Sequence, residues 1–181
     1  MDIKYKIEFF SNWHCGSGLA AGADVDALVV KDTNGLPFVP GKTIKGLLRE
    51  AADELNSDKA LLNKIFGKSG EDGLSESKSK RIGDSFFGNA ILPEGLSIIS
   101  SNLTPHLYQT FSSTRIDENT GIAKDNTLRK IETVVPCTLE GDIINVPEGE
   151  VKLLEEAMKC IKRMGTGRNR GYGRCKISII N

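Results

Sequence analysis

The chain has 181 residues, 39% of them apolar and 27% charged, and its 24 basic and 24 acidic residues cancel to a formal net charge of zero. This suits one globular domain with a core of its own, and no run of 18 apolar residues marks a membrane span. A free-standing nucleic-acid binder is usually basic overall, so any such contact must come from local patches, and one isolated copy is expected to bind weakly. Residues 1–6 lack signal-peptide character. Cys15, Cys137, Cys160 and Cys175 are scattered, with no Cys-x-x-Cys pair, which fits reduced thiols in a cytoplasm. His14 and Cys15 would need distant partners to make a zinc site.

Residues 3–10 alternate, with Ile3, Tyr5, Ile7 and Phe9 against Lys4, Lys6 and Glu8, and predict a strand with one buried face. Residues 11–23 carry Gly16, Gly18 and Gly22 and read as a loop passing close to other backbone. A lone His at a strand end is more often structural than catalytic, and His14 is read so. Asp24 and Asp26 lie at the end of this loop. Two such carboxylates could bind a cation or serve as a base; by pattern alone, one caps a turn and the other is solvated. Residues 28–30 and 36–39 predict a hairpin closed by Asp32-Thr33-Asn34-Gly35.

The stretch 36–49 organises the chain. Pro37 and Pro40 favour extended backbone. Ile44, Leu47, Leu48, Ala51, Ala52 and Leu55 then recur at helical spacing and form one apolar face. Lys42, Lys45 and Arg49 make a basic stripe elsewhere on the helix, in turns where cations are slightly disfavoured. Gly46 lies beside them, away from the apolar face. A glycine there suggests close approach by something outside the core; a solvated basic face is the plainer alternative. Gly41-Lys42-Thr43 is not a phosphate loop, because the required first glycine falls on Leu36.

Residues 58–66 predict a second helix, and 67–81 a mobile polar surface loop (68–83 at its widest). Residues 84–92, 96–100 and 107–114 are strand candidates. Residues 115–129 form a hairpin-like excursion turning near 119–121; it carries Arg115, Lys124 and Arg129, with Lys130 beyond, and has little to build a core. Residues 131–139 predict a strand, extended by 142–146. Pro147 opens a long helix with the core stripe Val151, Leu154, Met158 and Ile161. Glu148 and Glu150 start it and Lys159, Lys162 and Arg163 end it, as the helix dipole favours. From Lys159 to Lys176 there are seven basic residues and no acidic one. Four glycines there interleave with Arg168, Arg170, Tyr172 and Arg174 before a last strand at 175–180. Exposed backbone N–H groups, arginines and a stacking tyrosine point to an RNA-binding loop. The expected architecture is a single α+β domain, a ferredoxin-like βαββαβ sandwich.

Leu36-Pro-Phe-Val-Pro-Gly-Lys-Thr-Ile-Lys-Gly-Leu-Leu-Arg49 resembles the PG-x-x-[IL]-KG-x-[LM]-R signature of the RAMP superfamily. Residues 165–173 are similar to its C-terminal Gly-rich loop, and the excursion at 112–130 resembles the projecting thumb of the backbone subunits of type III CRISPR effector complexes. The resemblance implies an antiviral ribonucleoprotein subunit that stacks with copies of itself and other subunits along a guide RNA. It further implies cleavage of complementary target RNA by an aspartate using Mg2+ or Mn2+. Asp26, six residues before Asp32, matches that position, and Asp24 is its nearest competitor as base or metal ligand. Lys42, Lys45, Gly46, Arg49, Arg115, Lys124, Arg168, Arg170, Tyr172 and Arg174 would contact RNA. Two other readings are a non-cutting guide-binding subunit and a guide-processing ribonuclease using His14 or His106; the latter usually needs two such domains.

Overall fold

Alternation in the first strand decides which way the main sheet faces. Strand β1 (Ile3–Phe9) buries Ile3, Tyr5, Ile7 and Phe9 and turns Lys4, Lys6 and Glu8 toward solvent. We describe the chain from a computed structural model covering residues 1–22, 24–56, 58–68, 82–97 and 103–180. Besides β1, its elements are α1 (Gly41–Leu55), α2 (Lys59–Phe66), β2 (Phe86–Phe87), α3 (Glu94–Ser97), β3 (Tyr108–Ser113), β4 (Arg129–Val134), β5 (Thr138–Ile144), α4 (Val151–Cys160) and β6 (Cys175–Ile180).

Four strands form an antiparallel sheet in the order β2-β5-β1-β6. The register puts Ile3 against Ile143 and Ile7 against Leu139 on the core side, and Lys4 against Asp142 and Lys6 against Glu140 on the other. Opposed charges on that outer face support the pairing by a few tenths of a kcal/mol each, ~0.2–1 at most. Helices α1 and α4 pack against one another, and α4 also meets β6. Ile44, Leu48, Ala51 and Ala52 from α1 meet the same core as Leu154, Ala157 and Met158 from α4. Burying each large side chain in this way contributes about 1.5–3 kcal/mol. The resulting architecture is mixed α/β with antiparallel sheets.

β3 and β4 pair as a second antiparallel sheet, and residues 114–128 project beyond it. That excursion narrows through an Ile116–Ala123 bridge to a turn in which Asp117 accepts from the N–H groups of Asn119 and Thr120. Those two bonds hold the Asp117 carboxyl below its ordinary value. The second sheet meets the first loop through bridges from Trp13 to Val134 and from Ala27 to Ile131.

Several expectations need correction. The strand expected over 131–139 is two, β4 and β5, because Pro136 has no N–H to continue a ladder. The strand expected over 96–100 begins as the helical turn α3, which opens just after Pro93 with Glu94 in its first turn; residues 98–100 lie outside those described. The strand expected over 84–92 shrinks to β2, with single bridges from Ala90 to Val39 and Ile91 to Glu140. Pro147 precedes a 3-10 turn (Glu148–Glu150), not α4 itself, and α4 ends at Cys160, so Lys162 and Arg163 lie beyond it. Leu55, assigned to the apolar face of α1, is exposed. Most of the expected 68–83 loop, residues 69–81, lies outside those described.

Candidate functional site

The Pro-Gly that starts α1 has a packing reason. A Cβ on Gly41 would lie 2.0 Å from the Phe87 carbonyl oxygen, and the Gly41 N–H donates to Asn89 Oδ1 at 2.9 Å. Only glycine lets the helix begin against β2. Gly46 differs, because a Cβ there would meet nothing within 4 Å. Nothing among the described residues requires a glycine there, and the space beside it is open to an external partner. Lys42 is exposed and Lys45 half-buried on the same stripe. Arg49 is committed inside the chain: its guanidinium donates to the Gly67 carbonyl and to Asn63 Oδ1, closing the end of α2. It also lines a cavity of about 330 Å³ with Gly46, Asp53, Lys59 and Lys68.

The loop after β1 doubles back on itself. Ser17 N–H donates to Leu28 O, and Leu28 N–H to Leu19 O. The returning segment then runs beside β4. The Asp26 N–H donates to Lys130 O at 2.9 Å, and the Asp26 carboxylate accepts the Lys130 N–H at 2.7 Å. Asp26 is exposed, and the bond occupies one carboxylate oxygen while the other accepts no hydrogen bond among the described residues. It stands at the root of the projecting excursion, next to Arg129 and Lys130. Asp24 is exposed, and its N–H donates to Ala21 O.

Two residues further along β4, Glu132 ties this region together, and no motif or spacing pointed to it. Its carboxylate accepts from Val29 N–H at 3.1 Å and from Lys31 Nζ at 2.8 Å, and its own N–H donates to Ala27 O. Its carbonyl oxygen bonds His14 Nδ1 at 2.6 Å. His14 is buried and serves the framework, as expected of it. Lys31 Nζ also lies 4.0 Å from the Tyr108 ring centroid. His106 sits exposed in the 3-10 turn before β3.

The Gly-rich loop is built against this same region. Gly165 (φ +85°) lies where a Cβ would be 2.3 Å from His14 O, and Gly173 (φ +67°) where one would be 1.9 Å from Met164 O. Both glycines admit neighbouring backbone, a different role from the anion cradle expected of them. Arg168, Arg170 and Arg174 are exposed. Arg168 faces the side of α1 that carries Glu50 and Glu54, across a cavity of about 160 Å³. Tyr172 meets Phe111 of β3 edge-on, at 5.6 Å between ring centroids. Arg115 and Lys124 are adjacent and exposed on the excursion, with Lys124 N–H donating to Arg115 O.

The structure thus gathers Asp26, the excursion's root and the Gly-rich loop around β3 and β4, and leaves Lys42, Lys45 and Gly46 on α1. Among the described residues, no group of three or more His, Cys, Asp or Glu is placed to hold a metal ion. No helix among them is long and apolar enough to cross a membrane.

A family model described as "RAMPs: RAMP superfamily" matches residues 6–176. The chain is similar to the CRISPR system Cms endoribonuclease Csm3 of Streptococcus thermophilus, with 24% identity over 198 residues, 93% of this chain and 86% of that protein. It also resembles a chain in the cryo-EM structure of the type III-B Cmr-beta bound to cognate target RNA. That match has a TM-score of 0.75 and 12% identity, and covers 99% of this chain and 97% of the other.

Proposed function

The chain belongs to the RAMP superfamily, and from that premise we propose that it is a backbone subunit of a type III CRISPR effector complex that binds guide RNA and cuts paired target RNA at Asp26. Similarity to an endoribonuclease supports the reading. The observation that carries it is the exposed Asp26 carboxylate, fixed by the Lys130 N–H at the root of the projecting hairpin, beside Arg129 and Lys130. We read the antiparallel order β2-β5-β1-β6, with α1 and α4 as its two helices, as a ferredoxin-like βαββαβ unit and residues 112–130 as its thumb.

In this proposal Asp26 accepts the proton of a target 2′-hydroxyl as that oxygen attacks the adjacent phosphorus and the 5′-oxygen departs. A divalent cation would be held by Asp26, with Asp24 as its nearest competitor. Asp26 has one carboxylate oxygen uncommitted and Asp24 is two residues away; Mg2+ is commonly held by one or two carboxylates plus substrate phosphates. Such an ion would supply charge stabilisation at the phosphate. Lys42 and Lys45 would meet guide phosphates, with Gly46 leaving room for the chain. Arg115, Lys124, Arg168, Arg170 and Arg174 would meet RNA from the other side. Specificity would come from base pairing, and affinity would be shared across many copies.

A second reading, a guide-binding subunit that does not cut, is favoured by that same bond, because it gives Asp26 a framework role. The test uses the complex assembled with guide RNA and a labelled complementary target. Wild type, Asp24→Ala and Asp26→Ala are compared with and without Mg2+ or Mn2+. Regularly spaced cuts lost only in Asp26→Ala are expected. Stable target binding without cuts in wild type refutes the nuclease reading.

A further inference from the structure

The alternation that buries Phe9 turns the next residue outward, and Phe10 is 53% exposed. A single exposed aromatic is ordinary. This one is set into a built arrangement. The Phe10 N–H donates to Arg174 O at 2.8 Å, Arg174 N–H donates to Ser11 Oγ at 3.0 Å, and Gly173 N–H donates to Asn12 O at 2.8 Å. The backbone is thereby held so that the Arg174 guanidinium lies over the Phe10 ring, 5.8 Å from its centroid. Next along the same loop, Tyr172 sits edge-on to Phe111. The surrounding segment has seven basic residues and no acidic one between Lys159 and Lys176. Arg168 and Arg170 make no ion pair among the described residues. An aromatic face, a guanidinium plane and unpaired arginines together match the two needs of a single-stranded nucleic acid, base stacking and phosphate neutralisation.

We propose that Phe10 and Arg174 form a stacking seat for one unpaired RNA base, with the exposed Arg170 of the same loop holding a flanking phosphate. The proposal rests on the RNA-binding half of the function above and adds Phe10, which the family signature does not include. A protein partner is the alternative occupant. It would use the ring as apolar surface and have no requirement for a base.

The test measures binding of the full chain to a fluorescein-labelled single-stranded oligouridine of about 20 nucleotides, and to an abasic oligomer of equal length, at several salt concentrations. Phe10→Leu keeps an apolar side chain but removes the ring. It is expected to weaken oligouridine binding about tenfold, to leave the abasic oligomer unaffected and to leave the salt dependence unchanged. Phe10→Trp is expected to bind as well as wild type. Arg170→Ala should instead reduce the slope of log K against log salt by about 0.7, the share of one phosphate on a single strand. Equal oligouridine binding by wild type and Phe10→Leu overturns the seat while leaving the function standing; so does an equal loss on the abasic oligomer. If wild type binds neither RNA even at the lowest salt, where a single copy's weak affinity is strongest, the RNA-binding function itself falls, and the seat with it.

Discussion

Removing the Glu132 carboxylate should loosen the segment that carries Asp26. Val29 is 3% exposed and its N–H goes to Glu132 Oε2. Taking that acceptor away strands a buried donor, at about 1–3 kcal/mol, toward the upper half because the acceptor is ionised. The Lys31–Glu132 pair has about a third of the lysine side chain exposed, so solvent screening limits it to roughly 0.5 kcal/mol. Glu132→Ala is therefore expected to lose about 2–3 kcal/mol, or about 5–10 °C in melting temperature for a chain of this size. Glu132→Gln retains an oxygen for Val29 and should lose about 1 kcal/mol. Urea unfolding at pH 7 gives the free energies, and amide exchange over residues 27–31 locates the change. Glu132→Ala within 0.5 kcal/mol of wild type, or Glu132→Gln as damaging as Ala, would refute the reasoning.

Gly173→Ala sets a Cβ against the Met164 carbonyl at positive φ; a loss above about 2 kcal/mol is expected by urea unfolding, with Gly46→Ala slightly stabilising. Asp58 caps α2 by accepting from Ala60 and Leu61 N–H, and Asp58→Ala should remove about 1 kcal/mol. Cys160 is exposed, whereas Cys15 and Cys175 are buried and Cys137 half-buried. Burial pushes the Cys137 and Cys175 thiols up to about 11. A thiol reagent at pH 8 should label Cys160 rapidly and the other three only on unfolding. The same shifts make stability fall as pH rises from 9 toward 11, because unfolded thiols then release protons that folded Cys137 and Cys175 retain. Cys137→Ala should flatten that slope in urea unfolding at successive pH values.

Elements whose reason is local were legible in the sequence. The three- and four-residue recurrence of Ile44, Leu48, Ala51 and Ala52 marked α1, and alternation marked β1. The Asp32–Gly35 turn formed because Asp32 accepts from Asn34 and Leu36 N–H groups while Gly35 takes φ +76°. The break at Pro136 was written in the chain too, but the apolar run around it masked the missing donor. What sets the candidate site was hidden for a different reason. Asp26 and Lys130 are 104 residues apart, and Glu132 reaches Val29 across 103. No spacing rule joins such pairs; they follow from how the second sheet docks on the first loop. Phe10 lay between these cases. The alternation that buried Phe9 already pointed it outward, but its significance depends on Arg174, which arrives from the Gly-rich loop just before the last strand.

The way α2 ends has a practical consequence. Gly83 returns so close to Gly67 that a Cβ on it would lie 2.4 Å from the Gly67 nitrogen, and Asp84 N–H donates to Lys64 O at 2.7 Å. Arg49 holds the outgoing strand of chain at the Gly67 carbonyl. The described chain on the two sides of residues 69–81 is therefore clamped together at one point. Linking two points already held together costs a closure entropy that grows slowly with the length of a flexible link, about 0.6 kcal/mol for each doubling. An affinity tag or a fluorescent domain inserted between residues 68 and 82 is therefore expected to leave the packing of the sheet, the Asp26 segment and the Gly-rich loop unchanged, because those flanks hold each other independently of the link.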